Sequence, residues 1–162
     1  MTTLPKVLES TMKIRFHDCD PFNHLNNSRY IDYMVTARGD QLIDAYQFDI
    51  YALAVKEKIG WVSAQTQIAY LLPAYLMEEV VIRTQLIHCS EKSLLLEAQM
   101  LSLDKRLVKS VMWTRLVHFN LVTQRSQSHT AALMQFFEQV LMPLQPTVNF
   151  DERVKQLQAA KG

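Results

Sequence analysis

The 162 residues spell an α+β fold: an antiparallel sheet wrapped around one long helix, with a helical tail. Three observations predict it. Apolar residues recur at every second position through most of residues 60–123, and at helical spacing in one segment before that stretch and one after it. The strand-like segments are joined by short charged links such as Ser90-Glu91-Lys92 and Asp104-Lys105-Arg106, which can close hairpins but are too short for a parallel crossover. The early helix has one apolar stripe, and a sheet curled over that stripe is the economical way to bury it.

Residues 12–17 alternate Met12, Ile14 and Phe16 against Lys13, Arg15 and His17, the period of a half-buried strand. A polar turn over 18–26, broken by Pro21, follows. From Asn27 the apolar positions Ile31, Met34, Val35, Leu42 and Ala45 fall on one helix face, interrupted by Arg38. The side-chain oxygen of Asn26 or Asn27 is suited to cap the first turn. Residues 46–58 read as irregular connection with some helical content. Beyond Gly60, Val62, Ala64, Thr66, Ile68, Tyr70 and Leu72 line one face of a long strand that Pro73 ends, while Ser63, Gln65 and Gln67 face the other way. Three further strands, over 80–89, 93–103 and 107–123, are rich in β-branched, aliphatic and aromatic residues. The last is apolar on both faces, with Val111, Trp113, Val117 and Phe119 set against Val108, Met112 and Leu116. Its outer face therefore needs a cover, either the tail helix or another subunit. Leu133, Phe136, Phe137, Val140 and Leu141 repeat at helical spacing behind a Ser128/Thr130 cap, and Pro143 and Pro146 stop that helix. A weaker amphipathic stretch over 151–160 closes the chain. The whole reads as one domain over 1–162, its core at about 12–123 and a helical extension at about 128–162.

Composition excludes several functions. Lys plus Arg is 17 and Asp plus Glu 16, a formal charge of +1 with no long block of either sign, which argues against a nucleic-acid-binding module. Glycine is scarce: three residues, where average usage of roughly 7% would give about eleven. No glycine-rich phosphate loop can be assembled from Gly39, Gly60 and Gly162. Positive-φ turns must then be taken by other residues. Cys19 and Cys89 form no C-x-x-C pair and suit free thiols in a reducing compartment. No signal-peptide pattern opens the chain, and the longest apolar run, 68–77, is far short of the ~20 residues of a membrane span, so a cytoplasmic location is expected.

The densest reactive cluster, His17-Asp18-Cys19-Asp20-Pro21-Phe22-Asn23-His24-Leu25-Asn26-Asn27, lies where the first strand meets the helix. The amides and positive dipole end of a helix start favour an ionised carboxylate or a developing oxyanion. A carboxylate held there suits a nucleophile or a general base. Several blander roles compete for these residues. Asp18 reads as a turn-forming carboxylate, the Asn26 and Asn27 side chains as caps, and Tyr30 and Tyr33 as packing residues. His17, Cys19, Asp20 and His24 match no standard metal spacing. Strand alternation puts Cys19 on the face opposite Asp20, which argues against a Cys19 nucleophile.

Residues 14–38, I-R-F-H-D-C-D-P-F-N-H-L-N-N-S-R-Y-I-D-Y-M-V-T-A-R, resemble the signature of the 4-hydroxybenzoyl-CoA thioesterase family of hotdog-fold acyl-CoA thioesterases, approximately aromatic-x-D-[TC]-D-x-x-G-H-V-N-N-x-x-Y. Ile68-Ala69-Tyr70-Leu71-Leu72-Pro73-Ala74 is similar to that family's Y-L-x-P-A segment. The resemblance implies a hotdog fold and hydrolysis of an acyl-CoA thioester. It puts the catalytic carboxylate, as base or nucleophile, on Asp20 and the amide that holds the carbonyl oxygen on Asn27. His24 falls on the histidine of H-V-N-N, which is catalytic in related acyl-carrier-protein thioesterases. Those enzymes also use an asparagine two residues after the aspartate, where this chain has Phe22, and many relatives carry a glutamate where it has Val35. Also implied are a homodimer or homotetramer with sites built across subunits, coenzyme A entering only as part of the substrate, no other cofactor, and a place in fatty acid metabolism. A carrier-protein thioesterase and a non-catalytic acyl-CoA-binding hotdog protein are the alternatives. Where relatives have glycine three residues after the aspartate, this chain has Asn23, which should therefore adopt a positive φ.

Overall fold

The computed structural model describes residues 2–160. Strand β1 (Val7–Lys13) leads through two 3₁₀ turns, Phe16–Asp18 and Asn27–Arg29, into helix α1 (Tyr30–Tyr46) and the short helix α2 (Ile50–Lys56). Strands β2 (Ile59–Tyr70), β3 (Glu79–Cys89), β4 (Ser93–Ser102) and β5 (Val108–Asn120) follow, then a two-residue strand β6 (Arg125–Ser126) and helices α3 (Ala131–Val140) and α4 (Phe150–Ala159). The strands form one sheet in the order β1-β3-β4-β5-β2, with β6 paired to the end of β5. Every pairing is antiparallel, as the short links require for β3–β4 and β4–β5.

Tyr30, Tyr33, Met34 and Ala37 of α1 are buried against Ile82, Met100 and Met112 on the inner face of the sheet. Burying each large side chain of such a stripe is worth about 1.5–3 kcal/mol, so the sheet and α1 hold each other. This is the hotdog arrangement. The outer face of β5 is covered from within the chain: Phe150, Val154 and Leu157 of α4 pack on Val111 and Trp113. The apolar outer face therefore gives no separate argument for a second subunit. Under α4, Arg153 places Nε and Nη2 at 2.8 and 2.7 Å from the two oxygens of the buried Glu97. Trp113 and Gln99 also donate to that carboxylate.

Several boundaries differ from the sequence reading. The first strand runs Val7–Lys13 rather than over 12–17: it starts five residues earlier and ends where Ile14 exchanges hydrogen bonds with the 77–78 backbone, which leaves Phe16 exposed. The segment after α1 is helical, capped by Asp49, whose carboxylate accepts from the Tyr51 and Ala52 amides. A bulge in β2 between Ser63 and Gln65 adds a residue to the alternation, so Ser63 joins Thr66 on one face instead of opposing it. α4 starts one residue early because Asn149 and Glu152 form a capping box. Glycine's scarcity is met as expected: the six described residues with positive φ are Asn23, Gln47, Lys58, Met77, Lys105 and Gln124, and no described glycine has one. Gly39 serves a different need, close approach. A Cβ there would lie 2.6 Å from the Tyr51 hydroxyl oxygen.

Candidate active site

The turn between β1 and α1 is closed by its own backbone. The Asp20 amide donates to the His24 carbonyl at 2.8 Å, the Asn23 amide returns to the Asp20 carbonyl, and Cys19 bridges Leu25. Asn23, at the tip, has φ 61°, the left-handed conformation that asparagine tolerates better than most residues. The segment after β2 grips the turn from the other side, with the Leu25 amide on the Ala74 carbonyl and the Leu76 amide on the Asn23 carbonyl. The Y-L-x-P-A-like stretch is thus structurally coupled to the reactive turn.

Two carboxylates in this turn have different employment. Asp18 accepts from the Tyr33 hydroxyl at 2.6 Å and lies 3.3 Å from His17 Nε2 and 3.8 Å from Arg29 Nε. The same Tyr33 oxygen accepts from the Arg15 amide, so Asp18 ties the turn to α1. Burial, then the bond to Asp18, pushes the Tyr33 phenol up to about 12, which keeps it a proton donor at any working pH. Asp20 is held by one oxygen only. Its Oδ1 accepts from the Phe22 and His24 amides at 2.9 and 3.1 Å, while Oδ2 takes no hydrogen bond from the described residues. A carboxylate fixed in direction with one oxygen free can attack a carbonyl or take a proton from water.

Of the other two predicted residues, His24 is bonded to Asp20 through its backbone, and Asn27 opens the second 3₁₀ turn at the entrance to α1. Asn26, rather than Asn27, caps the 3₁₀ turn, accepting from the Ser28 amide. The Asn27 amide has no hydrogen-bond partner among the described residues, and the Tyr70 hydroxyl donates to the Asn27 carbonyl at 2.9 Å. An unspent amide at the start of the segment entering α1 is placed to hold an oxyanion. His24 contributes its backbone to the turn, while its ring lies edge-on to Tyr75 with centroids 5.1 Å apart. No hydrogen bond joins the His24 ring to Asp20. The Cys19 thiol donates to the Arg15 carbonyl, and burial, reinforced by Asp18 and Asp20, pushes its pKa up, the reverse of an activated nucleophile.

Beneath α1 lies a cavity of about 420 Å³. Its walls come from Ile31, Val35 and Leu42 of α1, from the inner faces of β2, β4 and β5, and from Phe48, Tyr51 and Phe137 of the connecting segment, α2 and α3. Ile31 is one helical turn beyond Asn27, about 6 Å along the axis, so the apolar space begins next to the turn. The sequence reading gave α1 and the sheet to the acyl chain; the part played by α2 and α3 was not anticipated. Two hydroxyls were also missed as position-setters: those of Tyr33 and Tyr70. Tyr70 had a signal, since it ends a strand inside the Y-L-x-P-A-like segment.

Residues 14–155 match the Thioesterase-like superfamily. The chain is 27% identical over 136 residues to the long-chain acyl-CoA thioesterase FadM of Escherichia coli strain K12, a match covering 83% of this chain and 99% of that one. Among solved structures, the probable thioesterase YbaW from Escherichia coli superposes with a TM-score of 0.71 at 25% identity, over 83% of this chain and 99% of the other. A hypothetical protein from Staphylococcus aureus, solved in complex with CoA, gives a TM-score of 0.77 at 13% identity over 95% of each chain, a likeness of fold.

Proposed function

This chain belongs to the thioesterase-like superfamily, and on that premise we propose that it hydrolyses the thioester of an acyl-CoA to the free acid and CoA, with Asp20 as the reacting carboxylate. The observation that carries the proposal is the contrast within the turn: Asp20 is oriented by two amides at Oδ1 and open at Oδ2, and the free Asn27 amide lies seven residues on at the helix entrance. The relative named a long-chain acyl-CoA thioesterase supports the substrate class. The finer placement, among 4-hydroxybenzoyl-CoA-type thioesterases, rests on the spelling of residues 14–38 alone.

In this mechanism the thioester carbonyl lies at the start of α1 and its acyl chain runs under the helix. Asp20 Oδ2 takes a proton from water as hydroxide adds to the carbonyl carbon, or attacks that carbon itself to form an anhydride that water then cleaves. The carbonyl oxygen gains negative charge and is held by the Asn27 amide and the positive end of α1. Collapse breaks the C–S bond, and the leaving thiolate ends as the thiol. His24 acts through its backbone, as the residue that aims Asp20. Coenzyme A is part of the substrate, and no other cofactor enters.

We place the working enzyme in a homodimer or homotetramer. Two features support assembly: the outer edge of β2 is unpaired among the described residues, and Phe22, Tyr75 and Met77 are exposed around the reactive turn. Both cysteines are free, which supports a reducing, cytoplasmic setting. No helix among the described residues is long and apolar enough to cross a membrane.

The test is thiol release from a panel of acyl-CoAs and from the same acyl groups on acyl-carrier protein. The expected result is turnover of at least one acyl-CoA well above the spontaneous rate. Turnover of carrier-bound substrates alone would shift the assignment to a carrier-protein thioesterase. Tight acyl-CoA binding without thiol release would make the protein an acyl-binding hotdog protein.

A further inference from the structure

One charged side chain lines the apolar cavity: Arg38, on the face of α1 that also presents Val35 and Leu42. Its Nη1 donates to Thr84 Oγ1 at 3.0 Å, and no carboxylate of the described residues lies within ion-pair distance. A guanidinium carries five N–H donors, so most remain uncommitted to the protein. Its position is fixed from behind by a chain of hydrogen bonds. The Thr84 hydroxyl donates to Gln41 Oε1 at 2.6 Å, and Gln41 Nε2 donates to Ser10 Oγ and the Ile82 carbonyl. Thr84 is therefore locked as an acceptor toward Arg38. Burial pulls the guanidinium down to about 10, which leaves it cationic at neutral pH.

The opposite wall answers with hydroxyls. Ser63, Thr66 and Thr114 stand 2.9–3.1 Å from one another on β2 and β5, and all three line the same cavity. Their depth matches that of Arg38. Tyr70 at the end of β2 is bonded to Asn27, while Phe48 just past α1 packs on Trp61 at the start of β2, so helix and strand run antiparallel side by side. Thr66 is four strand residues from Tyr70, about 13 Å. Arg38 is eleven residues from Asn27, about 16 Å, less the reach of a side chain that leans back toward the helix start.

Resting on the thioesterase reading above, we infer that the cavity selects acyl groups bearing a carboxylate at the end distal to the thioester, which Arg38 binds through its free N–H groups. Arginine and carboxylate match as a two-pronged, charge-assisted pair, and an apolar chain end would leave the cation unpaired in a mainly apolar wall. An extended chain advances about 1.2 Å per bond, so the two ends are separated by roughly eight to thirteen bonds.

The experiment compares three acyl-CoAs of about ten carbons, ending in methyl, hydroxyl or carboxylate, in kcat/KM, and their non-hydrolysable thioether analogues in Kd, on the wild-type protein, Arg38→Gln and Arg38→Met. The wild type should favour the carboxylate over the methyl end by at least about tenfold. Either variant should abolish that preference while handling the methyl-ended substrate at least as well as the wild type. Wild-type hydrolysis that favours the methyl end, or a preference for carboxylate that survives in both variants, would overturn the inference while leaving the thioesterase reading intact. Hydroxyl favoured over carboxylate would overturn it too. Selective, Arg38-dependent binding of the carboxylate-ended analogue without hydrolysis of any substrate would uphold the inference and defeat the hydrolase reading.

Discussion

The two faces of the sheet treat a half-buried arginine in opposite ways. On the outer face Arg153 meets both oxygens of Glu97, and Trp113 and Gln99 complete that carboxylate's coordination, so the polar groups under α4 are spent on one another. On the inner side, among the described residues, Arg38 has a single hydroxyl for company, Asp20 has an oxygen to spare, and the Asn27 amide is unbonded. Structural polar groups close on each other, whereas the groups assigned to function are held firmly from one side and left open on the other. Asp18 and Asp20 repeat the lesson at a separation of two residues.

The contrast can be broken first on the closed side. Arg153→Met strands Glu97 as an uncompensated buried charge and should cost about 3–5 kcal/mol of stability. In thermal unfolding that is a fall in Tm of roughly 6–20 °C for a chain of this size. Arg38→Met should leave Tm unchanged or raise it, because the inner-face cation has no carboxylate to strand. Equal losses for the two variants would erase the distinction between the faces.

A smaller effect comes from two histidines behind the cavity wall. His118 and His129 stack with ring centroids 4.9 Å apart, and Trp61 Nε1 donates to His129 Nε2. Burial lowers both pKa values below the ordinary histidine range. The unfolded chain takes up these protons near pH 6.5, before the folded chain does, so stability is full above that pH and declines as pH falls through the folded values. The slope should approach about 1.4 kcal/mol per pH unit for each histidine that the fold keeps neutral. Melts between pH 7.5 and 5.5 check this, and a flat profile would mean that the pair is protonated in the fold as readily as out of it.

Much of this was legible in the sequence. Strand alternation and short charged links pointed to the sheet, and the two faces of β5 sorted as read, with Val111 and Trp113 on one and Met112 on the other. The helix was found but its packed face was not: of Ile31, Met34, Val35, Leu42 and Ala45 only Met34 is buried, beside Tyr30, Tyr33 and Ala37, whereas Ile31, Val35 and Leu42 turn to the cavity. Asn23 took the positive φ that a missing glycine required. What escaped were features set by tertiary contact. Periodicity carried the first strand to His17 because it cannot register the bend imposed by the 77–78 backbone on Ile14. The bulge at Ser63 reversed a face because one inserted residue is invisible in an alternating pattern. Arg38 showed only as a break in an apolar stripe, and its meaning depended on which wall of a cavity it joins.

The central claim is that Asp20 does the chemistry and Asp18 holds the turn. Steady-state thiol release measured beside thermal unfolding, for Asp20→Asn and Asp18→Asn with the best acyl-CoA, tests it most directly. Asp20→Asn should lose about a hundredfold to ten-thousandfold in kcat with little change in Tm. Asp18→Asn should show the opposite split, a lower Tm with the larger share of turnover kept by the folded fraction. An Asp20→Asn protein that hydrolyses acyl-CoA as fast as the wild type would contradict the account.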